Sequence, residues 1–270
     1  MESDPEFRET LNPQHCYICK QSYTTVHAFY DQLCPTCAAL NFAKRTELAD
    51  LRGRVALLTG GRIKIGYQAG IKLLRSGAHL IVTTRFPRDS AARFARELDF
   101  SEWGQRLEIF GLDLRHTPSV EAFCHHLVME RDRLDFIINN ACQTVRRPPD
   151  FYRHMMEGER DAAANLPVPA RRLLGNFGLT HSAELTQVAL LPEEREVREA
   201  LFPLGQLDQD LQQVDLRGRN SWRLLMAEVP SVELLEVQLV NAVAPFILNA
   251  RLKPHKRSGT LRSRPGGGQF

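Results

Sequence analysis

Two sets of residues in this chain have types and spacings that could do chemistry. In the first, Cys16 and Cys19 form a C-x2-C pair, Cys34 and Cys37 form another, and fourteen residues lie between them. Each pair can fold into a knuckle presenting two thiolates, and two knuckles close a tetrahedral four-sulfur site. The spacer falls just short of the usual range, a gap that a short hairpin spans. Structural Zn2+ is expected, with iron in the same cage as the alternative. A piece this small has too little core to fold unaided, so metal binding would supply its stability. His15 and His27 read as bystanders. Neither pair reads as ending a strand and opening a helix, so a thioredoxin-like redox pair is not expected. The remaining thiols, Cys124 and Cys142, read as core residues.

The second set lies in LLTGGRIKIG, residues 57–66, where Gly60, Gly61 and Gly66 follow an apolar run. A phosphate-binding loop needs glycines for a tight turn and for close approach of backbone to pyrophosphate. It also needs a helix N-terminus facing the negative charge. Lys64 stands where a further glycine is expected. Read alone, the stretch has a plain glycine turn between strand and helix as its alternative.

The elements around that loop decide between these readings. RVALLT (54–59), HLIVTT (79–84), RLEIFGLDL (106–114) and LDFIINNA (134–141) are short apolar runs of the kind expected for strands buried on both faces. Between them lie the helical stretches YQAGIKLLRSG, DSAARFAREL and SVEAFCHHLVME. Strand alternating with helix at this spacing predicts an α/β fold, a Rossmann-like doubly wound parallel sheet. The organisation reads as a four-cysteine module over 1–49, a dinucleotide-binding half over 50–142 and a polar helical insertion over 143–230. A long apolar-striped helix over 231–254 and a disordered basic tail over 255–270 follow.

TGGRIKIG, LDL at 112–114 and NNA at 139–141 occur in order, each at a strand end. Together they resemble the short-chain dehydrogenase/reductase family, whose pattern is T-G-x-x-x-G-x-G, an Asp after the third strand and N-N-A-G after the fourth. EVQLVNAVAPFIL (236–248) resembles that family's central helix, with Asn241 at its characteristic asparagine and a supporting role implied. The resemblance implies that Gly60, Ile65 and Gly66 line the pyrophosphate and ribose. It implies that Asp113 bonds the adenine amino group beside Leu114, and that Asn140 and Ala141 pass close to the adenosine ribose. Lys64 and Cys142 depart from the family's glycines. The second strand ends VTTR with Arg85 and no acid, and Arg62 and Lys64 stand in the adjoining loop. These cations favour NADP(H) over NAD(H), unless they are solvated surface charges.

In this family a tyrosine protonates the forming alkoxide, a lysine four residues on lowers its pKa, and a serine upstream orients the substrate. Four residues after Tyr17, Tyr23, Tyr30, Tyr67 and Tyr152 stand Gln21, His27, Cys34, Ile71 and Met156, so Tyr-x-x-x-Lys is absent. The expectation is therefore an NAD(P)-dependent oxidoreductase acting on a carbonyl or alcohol, catalytically impaired and C-terminally truncated, with later strands missing. LDFIINNA would then be an uncovered sheet edge and the chain marginally stable or self-associating. The alternative is a non-catalytic nucleotide-binding or zinc-dependent interaction protein. The insertion reads as a solvated helical excursion, with a substrate lid or an oligomer contact as the other options.

Composition sets outer bounds. With 43% hydrophobic and 25% charged residues and a net charge of +3, the chain reads as an ordinary globular protein with no general nucleic-acid partner. No run approaches the ~18 consecutive apolar residues of a membrane helix, so no span is expected. The acidic start lacks a secretory signal, so the cytoplasm is the default. A homo-oligomer stays open.

Overall fold

Four apolar strands make the sheet, and every one of them is parallel to its neighbour. In the computed structural model, which describes residues 9–178, 181–195, 200–203, 205–208 and 212–253, these strands are β3 (Val55–Thr59), β4 (His79–Thr84), β5 (Leu107–Gly111) and β6 (Phe136–Ile138), in the order β5-β4-β3-β6. The register runs Val55 to His79, Leu80 to Leu107 and Ala56 to Phe136. Crossovers are made by α2 (Lys64–Arg75), α3 (Pro87–Phe94) and α4 (Thr117–Glu130).

Alternate residues of each strand point to opposite faces. Leu57, Ile81 and Phe110 pack with Phe123, Leu127 and Leu248 on one face, and Leu58, Val82 and Ile109 with Leu74, Phe94 and Trp103 on the other. Both faces are dry, which is why the strands read as continuous apolar runs.

The chain divides into two compact units, Met1–Ala49 and Asp50–Phe270. In the first, the hairpin β1 (Glu9–His15) and β2 (Ser22–Thr25) precedes the helix α1 (Pro35–Thr46). Its buried cluster is Cys16, Tyr23, Leu33 and Ala38.

Among its described residues, the stretch 143–230 carries one sizeable helix, α5 (Arg153–Asn165), and several single turns. It is less a solvated excursion than the sequence suggests. Leu166, Ala170 and Leu173 enter the second core cluster. Ile109 N–H donates to Leu173 O, Gly175 N–H returns to Ile109 O, and Gly111 N–H donates to Phe177 O. The stretch thus runs along β5 and closes that edge. The outer side of β6, at the opposite edge, has no strand beside it among the described residues.

Three expectations differ in detail. The fourth strand covers 136–138 alone, because 139–141 turn away to bond the glycine loop. Cys124 is buried as expected, but Cys142 is exposed. The helix α6 (Ser231–Leu252) is, by length and composition, apolar enough to cross a membrane, where no such run was expected. Its apolar character has a local cause: Val240, Ala244, Ile247, Leu248 and Leu252 are buried against the sheet and α4. The basic tail lies outside the described residues, as does part of PEEREVREALF.

Candidate nucleotide crevice and metal centre

Gly60 leaves β3 with φ +69°, in the left-handed region that favours glycine. A side chain there would meet Ala141 at 3.0 Å. At Gly66, in the first turn of α2, an added Cβ would collide with the Gly60 carbonyl oxygen and Asn140 Nδ2. Lys64 adopts φ +53°, which explains the glycine expected there: the turn needs a left-handed residue, and lysine adopts it at a cost.

The ends of β3 and β6 are knitted together. Asn140 Nδ2 donates to the carbonyls of Thr59 (3.0 Å) and Gly60 (3.1 Å), and Ala141 N–H donates to Thr59 Oγ1 (3.1 Å). Asn140 and Ala141 therefore reach the loop, as the resemblance implies. No side chain caps α2, whose N-cap is Ile63, and Ile65 is exposed at its first turn. Uncapped amides at a helix start, beside glycines with no room for a side chain, suit a phosphate.

The surroundings of the end of β4 are arranged differently. Arg62 is buried, donating to Asp89 Oδ2 (2.8 Å) with Met155 Sδ at 3.8 Å. Arg85 donates to Tyr152 Oη (2.9 Å) and lies 4.5 Å over that ring. Both guanidinium groups also flank the Phe86 ring. Neither is a solvated surface charge, and Lys64 also has interactions of its own.

Asp113 is 2% exposed, with its carboxylate held by Arg115 Nη2 at 2.6 Å and by the Arg115 amide at 2.9 Å. Burial works against the ionised form, yet Arg115 keeps the carboxyl below its usual range. Leu114 is a core residue. Arg115 continues to Glu236 (3.0 Å), Glu236 to Arg146 (3.1 Å) and Arg146 to Glu194. Sequence reading missed this buried chain of charges, whose members are 2 to 121 residues apart.

Asn241 lies in a π-helical turn, Leu239–Val243, within α6. Its Oδ1 accepts from Gln143 N–H (2.8 Å) and its Nδ2 donates to Gln143 O (2.9 Å). It pins the chain leaving β6, and π turns of this kind recur at functional sites.

In the other unit, the turn after β1 carries the first cysteine pair. Cys16 N–H donates to Gln21 O, and Lys20 takes φ +62° to close the turn. Cys34 is the N-cap of α1 and Cys37 lies in its first turn, so the second pair opens a helix with no strand ending there, while the first pair follows β1 and opens no helix. All four Sγ atoms lie within 4.8 Å of one another, and Cys19 to Cys34 is 3.7 Å. A zinc tetrahedron with Zn–S of about 2.3 Å has edges of about 3.8 Å, so this donor set fits. Burial opposes the Cys16 thiolate, but the amides of Cys34, Cys19 and Ile18 bring it down to about 6. Hydrogen bonding with Cys34 and burial push Cys37 up to about 12. His27 Nδ1 accepts from Phe29 and Tyr30 amides, a loop contact that occupies it as a ligand atom.

With this geometry in view, residues 54–158 match the family model described as short chain dehydrogenase. An uncharacterized protein of Acanthamoeba polyphaga mimivirus is 27% identical over 252 residues, covering 90% of this chain and 49% of that protein. A match that long leaves about a tenth of the chain outside, so it takes in most of 143–230. Dehydrogenase/reductase SDR family member 13 of Bos taurus is 33% identical over 105 residues, covering 37% of this chain and 28% of its own length. Among solved structures, a metagenomic short-chain oxidoreductase in complex with NADP has 18% identity and a TM-score of 0.43, covering 77% of this chain and 58% of that one. The chain spans about half or less of the length of the curated relatives named.

Proposed function

Because residues 54–158 match the short chain dehydrogenase family model, we propose that the second unit binds a nicotinamide dinucleotide over the loop Gly60–Gly66. One observation carries this: Gly66 has no room for a side chain where it meets Gly60 and Asn140, directly beneath the uncapped start of α2. In that reading Gly60, Ile65 and Gly66 hold the pyrophosphate through backbone, Asn140 fixes the loop, and Ala141 borders the ribose. Asp113 and Leu114 shape the adenine side through the Arg115 pair. Arg62, Lys64 and Arg85 favour NADP(H) over NAD(H), a preference moderated by the partners that Arg62 and Arg85 already hold. A bound nicotinamide would supply or accept hydride at a small carbonyl or alcohol.

The chain's own contribution to the proton step is where the reading narrows. Hydride transfer to a carbonyl needs an acid at the forming alkoxide, and none of the five tyrosines is followed by the partner lysine. Tyr152 is committed to Arg85. These 270 residues therefore supply cofactor binding with impaired catalysis. The second reading, a non-catalytic nucleotide-binding or zinc-dependent interaction protein, rests on the same missing pair.

We assign Cys16, Cys19, Cys34 and Cys37 to a closed structural metal site. Four thiolates leave no open position for catalysis, and metal analysis of the purified protein decides zinc against iron.

Titration calorimetry with NADPH, followed by turnover with aldehydes, ketones and quinones, tests the nucleotide reading. Binding in the micromolar range without turnover is the expected result, and Gly66→Ala should abolish binding. NADPH oxidation above the protein-free rate would remove the impaired reading. No binding of either dinucleotide would remove the cofactor reading.

A further inference from the structure

The strand β4 ends without the acid that would bond ribose hydroxyls and repel a 2′-phosphate, yet the fold brings a carboxylate to the start of the following helix from far along the chain. Glu159 of α5 is 1% exposed and accepts from the amides of Asp89 (2.8 Å) and Arg88 (3.2 Å) at the start of α3. The Arg88 guanidinium lies 3.6 Å from the same carboxylate and also donates to the Glu159 carbonyl at 3.3 Å. Just before α5, about two turns ahead of Glu159, Tyr152 takes the Arg85 guanidinium by its hydroxyl and by its ring face. The N–H edge is what an arginine offers a phosphate, and the face is what it offers an aromatic ring such as adenine. Tyr152, Met155 and Met156 are buried with Phe86, the residue two past β4, so the segment is seated rather than loosely draped.

The charge balance follows. Arg62, Arg85, Arg88 and Arg93 surround this corner, but Asp89 answers Arg62 and Arg93 at 2.8 and 2.7 Å, and Glu159 answers Arg88. An arriving 2′-phosphate would meet two carboxylates and an arginine already stacked and bonded.

We propose that Glu159 and Tyr152, supplied by the 143–230 stretch, are specificity-determining residues of the cofactor site and hold down the preference for a 2′-phosphorylated ribose that Arg62 and Arg85 would otherwise give. The inference rests on nucleotide binding at Gly60–Gly66 and deepens that reading. Glu159 stands in for the acid missing from the end of β4, and Tyr152 withholds Arg85. The insertion thus sets which dinucleotide is taken, while the loop sets that one is taken at all. Apparent affinity falls by the fraction of molecules whose binding groups are free, so releasing them should show directly in NADPH affinity.

The experiment is a pair of titrations, NADPH and NADH, on the full chain and on Tyr152→Phe and Glu159→Ala, with Gly60 to Gly66 amide shifts followed by NMR. The NADPH-to-NADH affinity ratio should rise about threefold in Tyr152→Phe and about tenfold in Glu159→Ala, with NADH affinity unchanged. Tyr152→Phe removes one hydroxyl from a packed ring, so it keeps the test open if Glu159→Ala fails to fold. An unchanged ratio in Tyr152→Phe, and in Glu159→Ala where it folds, with the loop amides still shifting, overturns the inference and leaves nucleotide binding standing. If neither dinucleotide shifts those amides in any form of the protein, nucleotide binding fails and the inference falls with it.

Discussion

In the first unit four residues, Cys16, Tyr23, Leu33 and Ala38, make the buried cluster, whereas the second unit carries clusters of fifteen and fourteen residues on the two faces of its sheet. Burying side chains at roughly 25 cal/mol per Å2 can hold the second together, but four side chains cannot offset the ordering of about forty residues. With the proposed metal site, the first unit would depend on what its sulfurs bind, whereas the second depends on what its strands exclude from water.

Removing metal should separate the units most sharply. Chelation, or Cys16→Ser with Cys37→Ser, should cost the first unit about 10 kcal/mol of binding-coupled stability and collapse the dispersion of its NMR signals. Signals from 54–138 should stay in place. Retention of the Tyr23 and Leu33 shifts in excess chelator would show that the small cluster suffices alone.

A core truncation should do the converse. Phe110 is 1% exposed and touches Phe123 at 5.4 Å between centroids. Phe110→Ala is expected to lower the stability of the second unit by about 3–5 kcal/mol in urea unfolding and leave the cysteine cluster's metal content unchanged. A loss under about 1 kcal/mol would mean that the sheet is not the unit's main support.

Burial also has a cost in the second unit, legible as pH dependence. Desolvation pushes the Glu159 carboxyl up to about 7, outweighing the amides of Asp89 and Arg88 and the Arg88 charge, while Asp89 adds to the rise. On the same helix, His154 is held below the ordinary histidine value by burial and Arg62, so it is largely neutral above that value. A folded pKa above the unfolded one means that the associated stability is fully present below about 4.5 and is lost as pH rises through about 7. Stability should fall by at most about 1.4 kcal/mol per pH unit across that window. In Glu159→Gln this fall should be absent, so identical slopes for the two proteins would refute the assignment.

The smallest effect concerns Lys64. Glycine accepts φ +53° without strain but loses more chain entropy on folding, so Lys64→Gly should shift stability by under about 1 kcal/mol, upward. A clear loss would show that the lysine side chain holds the loop.

Much of the second unit could be read from sequence because its physics is local. Strands dry on both faces write themselves as unbroken apolar runs, and Thr59, Gly60, Gly66, Asn140 and Ala141 lie at strand ends where topology converges them. The surroundings of the ends of β4 and β5 could not be read this way. Glu159 reaches the start of α3 from 70 residues away, and Glu236 reaches Arg115 from 121, and no spacing rule links such partners. One signal was present: Gly175 and Gly178 stand close together in GNFG. A side chain at Gly178 would strike the Gly111 carbonyl, and one at Gly175 the Phe110 ring. Paired glycines in a polar stretch meant backbone lying against something, here the edge of β5.

That edge contact makes the sheet directional. Along β5 the lateral donors and acceptors are already taken by 173–177, so no new strand can be laid there. Widening can proceed in one sense only, outward past Phe136–Ile138. The β5 side of the sheet is thus finished within these residues, while the β6 side is the margin along which the sheet can be extended.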